Sequence, residues 1–417
     1  MSNTLKFIDM VAREAQSIAH EKCTFIGTTD LQYDDSFGKT GAKIGSTLRV
    51  RKPNEYTRRT GSRVMDVQDQ DEATQNITVA TQDGVDMRFN SAELTLDTDS
   101  PSDVAAFSKR YIEPAVSVLV SGIESDYLAY ATKATYNLAG AGAGGIVGTA
   151  ITSLVAPGLA RAKLNQGLAP KDKRCIQMDS VTMGGLVNGV AAYFNPSGAI
   201  SEQYREGMIA RTAMADFYEN ERIYSTTFSD DVTGDTDAAA LVTDGGTTID
   251  MHTLVPVAKQ TVGTVFTVAG VYACHPETKA AYRHLQQFVI TAIGATTTTI
   301  SPATVLTGPR QNVCSAAGAQ LATTAFDAKT VTFFGLASST YANNLMYHKE
   351  AFQFVTADLP LMDDAHKCTR RVKDGLSMRV WMASDIRNDE LLMRLDILYG
   401  MAALRPAWAC RVVGAAG

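Results

Sequence analysis

"LMRLDILYGMAALRPAWACRVV" spans Leu392 to Val413. Leu395, Ile397 and Tyr399 recur at every second position, so the first half reads as a strand with one buried face. Gly400 permits a bend or bulge. Pro406 punctuates the path, after which Trp408, Cys410 and Val412 alternate again. No catalytic grouping sits in the segment. It reads as β structure crossing between two subdomains, with the expected role of tying them together.

Outward from this segment, the bulk properties narrow the function classes. At 417 residues the chain exceeds one ordinary core, and two or three domains or subdomains are expected. Hydrophobic content of 45% with 20% charged residues is that of a globular chain. A formal net charge of -6 argues against a dedicated nucleic-acid binder, which is usually basic. Cys23, Cys175, Cys274, Cys314, Cys368 and Cys410 are scattered without a CxxC, as expected of reduced thiols in a cytoplasmic product. The first 22 residues are charged throughout and lack the apolar core of a signal peptide. No run approaches the ~18 apolar residues that span a bilayer, so no membrane partner is expected.

Along the chain, Leu5, Ile8, Val11, Ala12, Ala15 and Ile18 fall near helical spacing and predict an amphipathic N-terminal helix. Residues 31–100 turn polar. "STLRVRKP" (46–53) and "NITVATQDGVDMRF" (76–89) alternate, and Asp83-Gly84 reads as a hairpin turn within the second. Between them lie a basic cluster (Arg49, Arg51, Lys52, Arg58, Arg59, Arg63) and an acidic one (Asp66, Asp69, Asp71, Glu72). Such a charge-blocked excursion buries little of itself and looks like an arm that reaches a partner. Residues 102–135 predict a short helix from a Ser102 or Asp103 cap to about Ile112. A longer helix follows with Pro114 in its first turn. Its stripe is Val116, Leu119, Val120, Ile123, Tyr127, Leu128 and Tyr130. "LAGAGAGGIVG" (138–148) reads as a flexible loop. Residues 150–225 alternate helix and strand, with a helix closed by Gly167, a strand at "KRCIQMD" and a helix from "SVTMGG". Residues 226–340 carry repeated short strand signals and predict an all-β insert, a small barrel or sandwich.

Candidate chemistry is sparse. Gly140, Gly142 and Gly145 satisfy G-x-G-x-x-G, but a helix rather than a strand is read before them, and no acidic residue follows at the spacing a ribose contact needs. A flexible loop is the better reading. Cys274-His275 and His366-Lys367-Cys368 lack a second half with zinc spacing. No G-x-S-x-G and no HExxH occurs. The basic cluster encloses one aromatic, Tyr56, and a non-specific phosphate contact is one reading of it. The neighbouring acidic block favours the other, subunit-to-subunit ion pairing.

Five stretches, in order, resemble the major capsid proteins of tailed bacteriophages with the HK97 fold, most closely the P22-like coat proteins that carry an inserted β domain. "YIEPAVSVLVSGIESDYL" (111–128) resembles the start of the spine helix. "LARAKLNQGLAPKDKRCIQMD" (159–179) is similar to the helix, turn and strand entering the axial domain. "EQYREGMIARTAMADFYEN" (202–220) resembles the segment before the insertion, and "GVYACHPETKAAYRHLQQFVITA" with "TTTTISPATV" (270–305) part of the insertion itself. "RLDILYGMAALRPAWACRV" (394–412) is similar to the last strand pair. The cysteine and histidine of "CHPETK" depart from the small or neutral residues expected there.

The resemblance implies an α+β, HK97-type subunit with an inserted all-β domain. Residues 1–30 would be an N-terminal arm, 31–100 the extended loop and peripheral strands, 101–149 the spine helix of the peripheral domain and 150–225 the axial domain. Residues 226–340 would be the insert, and 341–417 would return to both domains. It implies a coat protein, not an enzyme, with no catalytic residue, cofactor or metal. The subunit would assemble with itself into the hexamers and pentamers of an icosahedral shell around double-stranded DNA, held non-specifically. A scaffolding protein and portal would assist in the host cytoplasm, and a decoration protein is a further expected partner of the finished virion capsid. An encapsulin-like cellular nanocompartment shell is the alternative.

Overall fold

The computed structural model describes residues 7–34, 47–59, 61, 63–65, 67–68, 74–90, 108–140, 150–190, 215–227, 233–236, 242–251, 260–295, 297–335, 339–362, 367–373 and 376–414. They fall into two compact units: Met1–Val50 with Thr74–Tyr127 and Phe352–Ala402, and Arg51–Ala73 with Leu128–Ala351 and Ala403–Gly417. Mixed helix and strand make the protein α+β.

The first unit is built on a six-stranded sheet ordered Asp30–Asp34, Phe352–Ala357, Glu390–Ala403, Leu376–Asp385 and Lys367–Lys373, with Thr81–Asn90 also paired to Glu390–Ala403. Its first pair is parallel, and Lys367–Lys373, Leu376–Asp385 and Glu390–Ala403 run antiparallel. Period-two burial of Met393, Leu395, Ile397 and Tyr399 gives the strand Glu390–Ala403 the buried face its sequence predicts. The N-terminal helix, Phe7–Lys22, packs against Lys367–Lys373 and Leu376–Asp385. Ala12, Ala15 and Ala19 form its buried stripe, and small side chains let the helix lie close to the sheet. Gln16 Nε2 donates to the Leu376 carbonyl at 3.0 Å.

The long helix is Glu113–Ala134, entered through one wider turn at Ser108–Ile112. Pro114 lies in the first regular turn, directly after the wider one. Val116, Leu119, Val120, Ile123 and Tyr127 are buried at the spacing of one helical face. Tyr130, expected on that stripe, is instead partly exposed, and its hydroxyl accepts the Ala403 amide at 3.4 Å. Tyr127 packs on Phe25 (ring centroids 4.7 Å) and Phe354 (5.3 Å), and Phe354 stacks on Tyr399 (5.3 Å). The buried Glu124 carboxylate accepts the Phe25 amide. The Ser102 and Asp103 caps lie outside the described residues.

Two glycine readings need correction. Asp83-Gly84 is not a turn: both residues lie inside the strand Thr81–Asn90, which pairs in register with Glu390–Ala403, Asp83 opposite Ile397 and Gly84 opposite Asp396. The chain breaks at Val79-Ala80 instead, and the strand before it, Thr74–Thr78, pairs with Thr47–Arg51. A β-carbon on Gly84 would stand 2.5 Å from the Asp396 Oδ1, so the missing side chain serves close approach. Gly400 is no bend either. The strand runs through it, and a β-carbon there would stand 2.4 Å from the Thr78 carbonyl. Turn chemistry and close approach both call for glycine, and the sequence alone does not separate them.

In the second unit, a six-stranded sheet is ordered Leu138–Gly140, Ala409–Val413, Thr340–His348, Arg174–Met178 and Asp216–Glu219, with Ser225–Thr227 on Thr340–His348. The glycine stretch therefore begins as a strand, Leu138–Gly140, parallel to Ala409–Val413, and not as a loop. All five residues of Ala409–Val413 are buried, so the expected alternation after Pro406 is absent. An interior strand covered on both faces has no polar side to alternate. Nor do Glu390–Ala403 and Ala409–Val413 pair: they belong to different sheets. The helices Val155–Gln166 and Ser180–Val190 cover this sheet, burying Ala160, Leu164 and Leu186 against Ile176, Met346 and Val412. Asp179 Oδ2 accepts the Thr182 amide at 3.1 Å and caps the second helix.

A seven-stranded antiparallel sheet is drawn wholly from residues between Thr233 and Phe333. Its order is Gly246–Ile249, Thr298–Thr304, Ala281–Ile293, Val265–Cys274, Thr330–Phe333 and Thr233–Asp235, with Val313–Cys314 also on Val265–Cys274. Among the described residues this is one open order of strands. Its core holds Phe266, Phe288, Phe326 and Phe333.

Candidate functional site

The described residues between 51 and 68 are nearly all exposed. Arg51, Lys52, Arg58, Arg59 and Arg63 are all exposed, as is Arg49 on the strand Thr47–Arg51 of the first unit. Asp66, Asp69, Asp71 and Glu72, expected to pair with the basic cluster across a subunit contact, lie outside the described residues. The described part is held by its own hydrogen bonds. The Thr57 amide donates to Gln68 Oε1 at 2.9 Å, and Gln68 Nε2 returns a bond to the Thr57 carbonyl at 2.7 Å. Arg59 donates to the Val64 carbonyl. One side-chain amide and one guanidinium thus close the excursion on itself. Partial desolvation, with Arg310 and Arg405 nearby, pushes the Lys52 ammonium below its ordinary range.

The sequence reading missed the apolar side of this loop. Val64 is 76% exposed, Met65 80% and Val67 77%, with Tyr56 also exposed. Three large apolar side chains exposed within four positions make this loop the candidate contact surface. The signal was present in "RVMDV" but was masked by the charges around it.

The other candidates resolve into structural roles. His275 Nδ1 accepts the amides of Glu277 and Thr278, both at 3.1 Å, and so closes the turn after Cys274. His348 Nδ1 accepts the Glu350 amide at 3.3 Å, and its ring meets Trp408 edge-on. His284 is pushed down to about 4, first by burial and then by Lys163. Among the described residues no three His, Cys, Asp or Glu side chains gather as a metal site. His366, Gly142 and Gly145 lie outside them. No helix of the described residues is long and apolar enough to cross a membrane.

Comparison with known proteins follows from this geometry. The family profile of the P22 coat protein, gene protein 5, matches residues 200–414, just over half of the chain. No curated protein matches. Among solved structures, the capsid of Ralstonia phage GP4 aligns with a TM-score of 0.48 at 8% identity, covering 93% of this chain and 87% of its own. The mature capsid of bacteriophage PhiM1 aligns with a TM-score of 0.43 at 11% identity, covering 94% and 86%. The virus-like particle of Pyrococcus furiosus aligns with a TM-score of 0.41 at 7% identity, covering 98% and 100%. By its family match the chain belongs to the P22 coat protein family: it is a major capsid protein of a tailed phage, a structural subunit that associates with its own copies to form the shell of the virion.

Proposed function

We propose that the subunit follows the HK97-type plan and that residues 51–68 are the part of its extended loop that seats on a neighbouring copy. The exposed run Val64, Met65 and Val67 carries this reading. Magnitudes favour the apolar residues over the arginines. Burying a Val or Met side chain contributes about 1.5–3 kcal/mol, whereas an exposed ion pair contributes about 0–1 kcal/mol. The basic cluster then sets register and partner choice. In this plan residues 1–30 are the N-terminal arm, 31–100 the extended loop and peripheral strands, and 101–149 the spine-helix segment. Residues 150–225 belong to the axial domain, 226–340 to the inserted β domain, and 341–417 return to both. The sheet drawn from residues between Thr233 and Phe333, with its own phenylalanine core, supports the insertion. The shell is icosahedral, built of hexamers and pentamers, closed by symmetry. It is assembled in the host cytoplasm with a scaffolding protein and portal, and encloses double-stranded DNA. A net charge of -6 suits a container that does not grip its contents.

The test is assembly of charged variants. Met65→Asp is expected to abolish particles in co-expression with scaffold, while Arg58→Glu with Arg59→Glu lowers particle yield by a smaller factor. Both should leave circular dichroism and the urea midpoint of the free subunit unchanged. Normal particles from Met65→Asp, seen by electron microscopy, would remove the loop from the contact. The second reading, an encapsulin-like compartment, is disfavoured by the family match over residues 200–414. Neighbouring terminase and portal genes, as against a cargo enzyme gene, separate the two.

A further inference from the structure

Arg411 sits on the interior strand Ala409–Val413 and is only 2% exposed. Its Nη1 donates to the Gly263 carbonyl at 2.6 Å, while its Nε and Nη2 have no hydrogen-bond partner among the described residues. These two nitrogens form the fork edge of the guanidinium, the edge that grips a carboxylate or other anion with two parallel bonds. Thr264, next to Gly263, carries a second buried polar group with no partner among the described residues, its hydroxyl. Lys133 brings another cation nearby. Its Cγ is 3.1 Å from where a β-carbon on Gly263 would stand, and its Nζ lies 4.9 Å from the Tyr224 ring centroid. Among the described residues no carboxylate compensates Arg411; only Cys410 and Tyr224 act on it favourably, against burial. Burial pushes it down to about 9, which still leaves it charged at neutral pH.

An uncompensated buried charge is among the most destabilising features a fold can carry. A water molecule would accept both fork N–H groups but would leave the charge unbalanced. We propose that the Nε/Nη2 edge of Arg411 holds a small inorganic anion of the halide class inside the second unit, as an integral part of the folded coat subunit. The anion takes the two fork bonds and supplies the missing negative charge. Nothing in the shell-forming role requires it; it follows from the orphaned fork alone.

The test uses the full-length subunit and bromide as the probe. Urea unfolding is followed as bromide replaces gluconate at fixed ionic strength. A saturable rise is expected, about tenfold in the folding equilibrium when bromide reaches ten times its dissociation constant. Crystals of the full chain grown in bromide should show one anomalous peak at the Arg411 fork. Arg411→Met should lose the bromide dependence, because an apolar isostere needs no counter-ion. If that variant does not fold, the wild-type titration and the anomalous map still decide. A flat bromide titration, or a fork occupied by water without anomalous signal, overturns the proposal.

Discussion

Chains ending before Leu392 are expected to leave no soluble, assembly-competent subunit. The deletion removes most of Glu390–Ala403, which pairs with Thr81–Asn90 and Leu376–Asp385 in the first unit. It also removes Ala409–Val413, which stands between Leu138–Gly140 and Thr340–His348 in the second. Leu395, Ile397, Tyr399 and Val412 are all fully buried. Emptying such positions costs about 2–5 kcal/mol each, and a domain's whole stability is only about 5–15 kcal/mol. The freed strand edges would then template aggregation. Fractionation and limited proteolysis after expression check this. A soluble truncated chain that resists protease would refute the central role given to both strands.

Asp396→Ala is expected to have the largest effect of any single substitution in the first unit. The Asp396 carboxylate is fully buried, pairs with Arg379 at 2.7 Å and accepts Arg394 Nε at 2.6 Å. Arg379 is itself buried and also donates to the Pro360 carbonyl at 2.9 Å. Removing the acid strands a buried guanidinium, for a loss of about 3–5 kcal/mol. The double variant Arg379→Met with Asp396→Leu is expected to regain most of it, because an apolar pair of similar volume needs no compensation. Urea midpoints of the free subunit measure both. A double variant no more stable than Asp396→Ala would show that the pair does more than neutralise itself.

The depth to which the sequence was legible follows from burial. The strand Glu390–Ala403 was readable because one covered face imposes period two, visible at Leu395, Ile397 and Tyr399. Ala409–Val413 was not, since a strand covered on both sides shows no period. The long helix was readable down to Pro114 in its first turn, because helical spacing and proline chemistry are local properties. The same local logic misassigned Gly84 and Gly400, whose constraint comes from Asp396 and Thr78, far away in the chain. At the candidate contact, the charges announced an exposed loop. The weight of Val64, Met65 and Val67 emerged only once their exposure was seen, as apolar letters are normally taken for core. Arg411 is the opposite case: an arginine in "ACRVV" reads as a side chain facing water, yet it is buried.

The placement of the two C-terminal strands also sets a clock. Each six-stranded sheet needs a strand from beyond residue 389 before it is complete, although its other strands are already made. On the ribosome, therefore, the first sheet cannot close before Ala403 is made nor the second before Val413, and such long-range pairings are intrinsically slow. A half-made coat subunit has no finished surface to offer another copy. In a protein that associates with its own copies, this chain order delays association until the strands Glu390–Ala403 and Ala409–Val413 have been made.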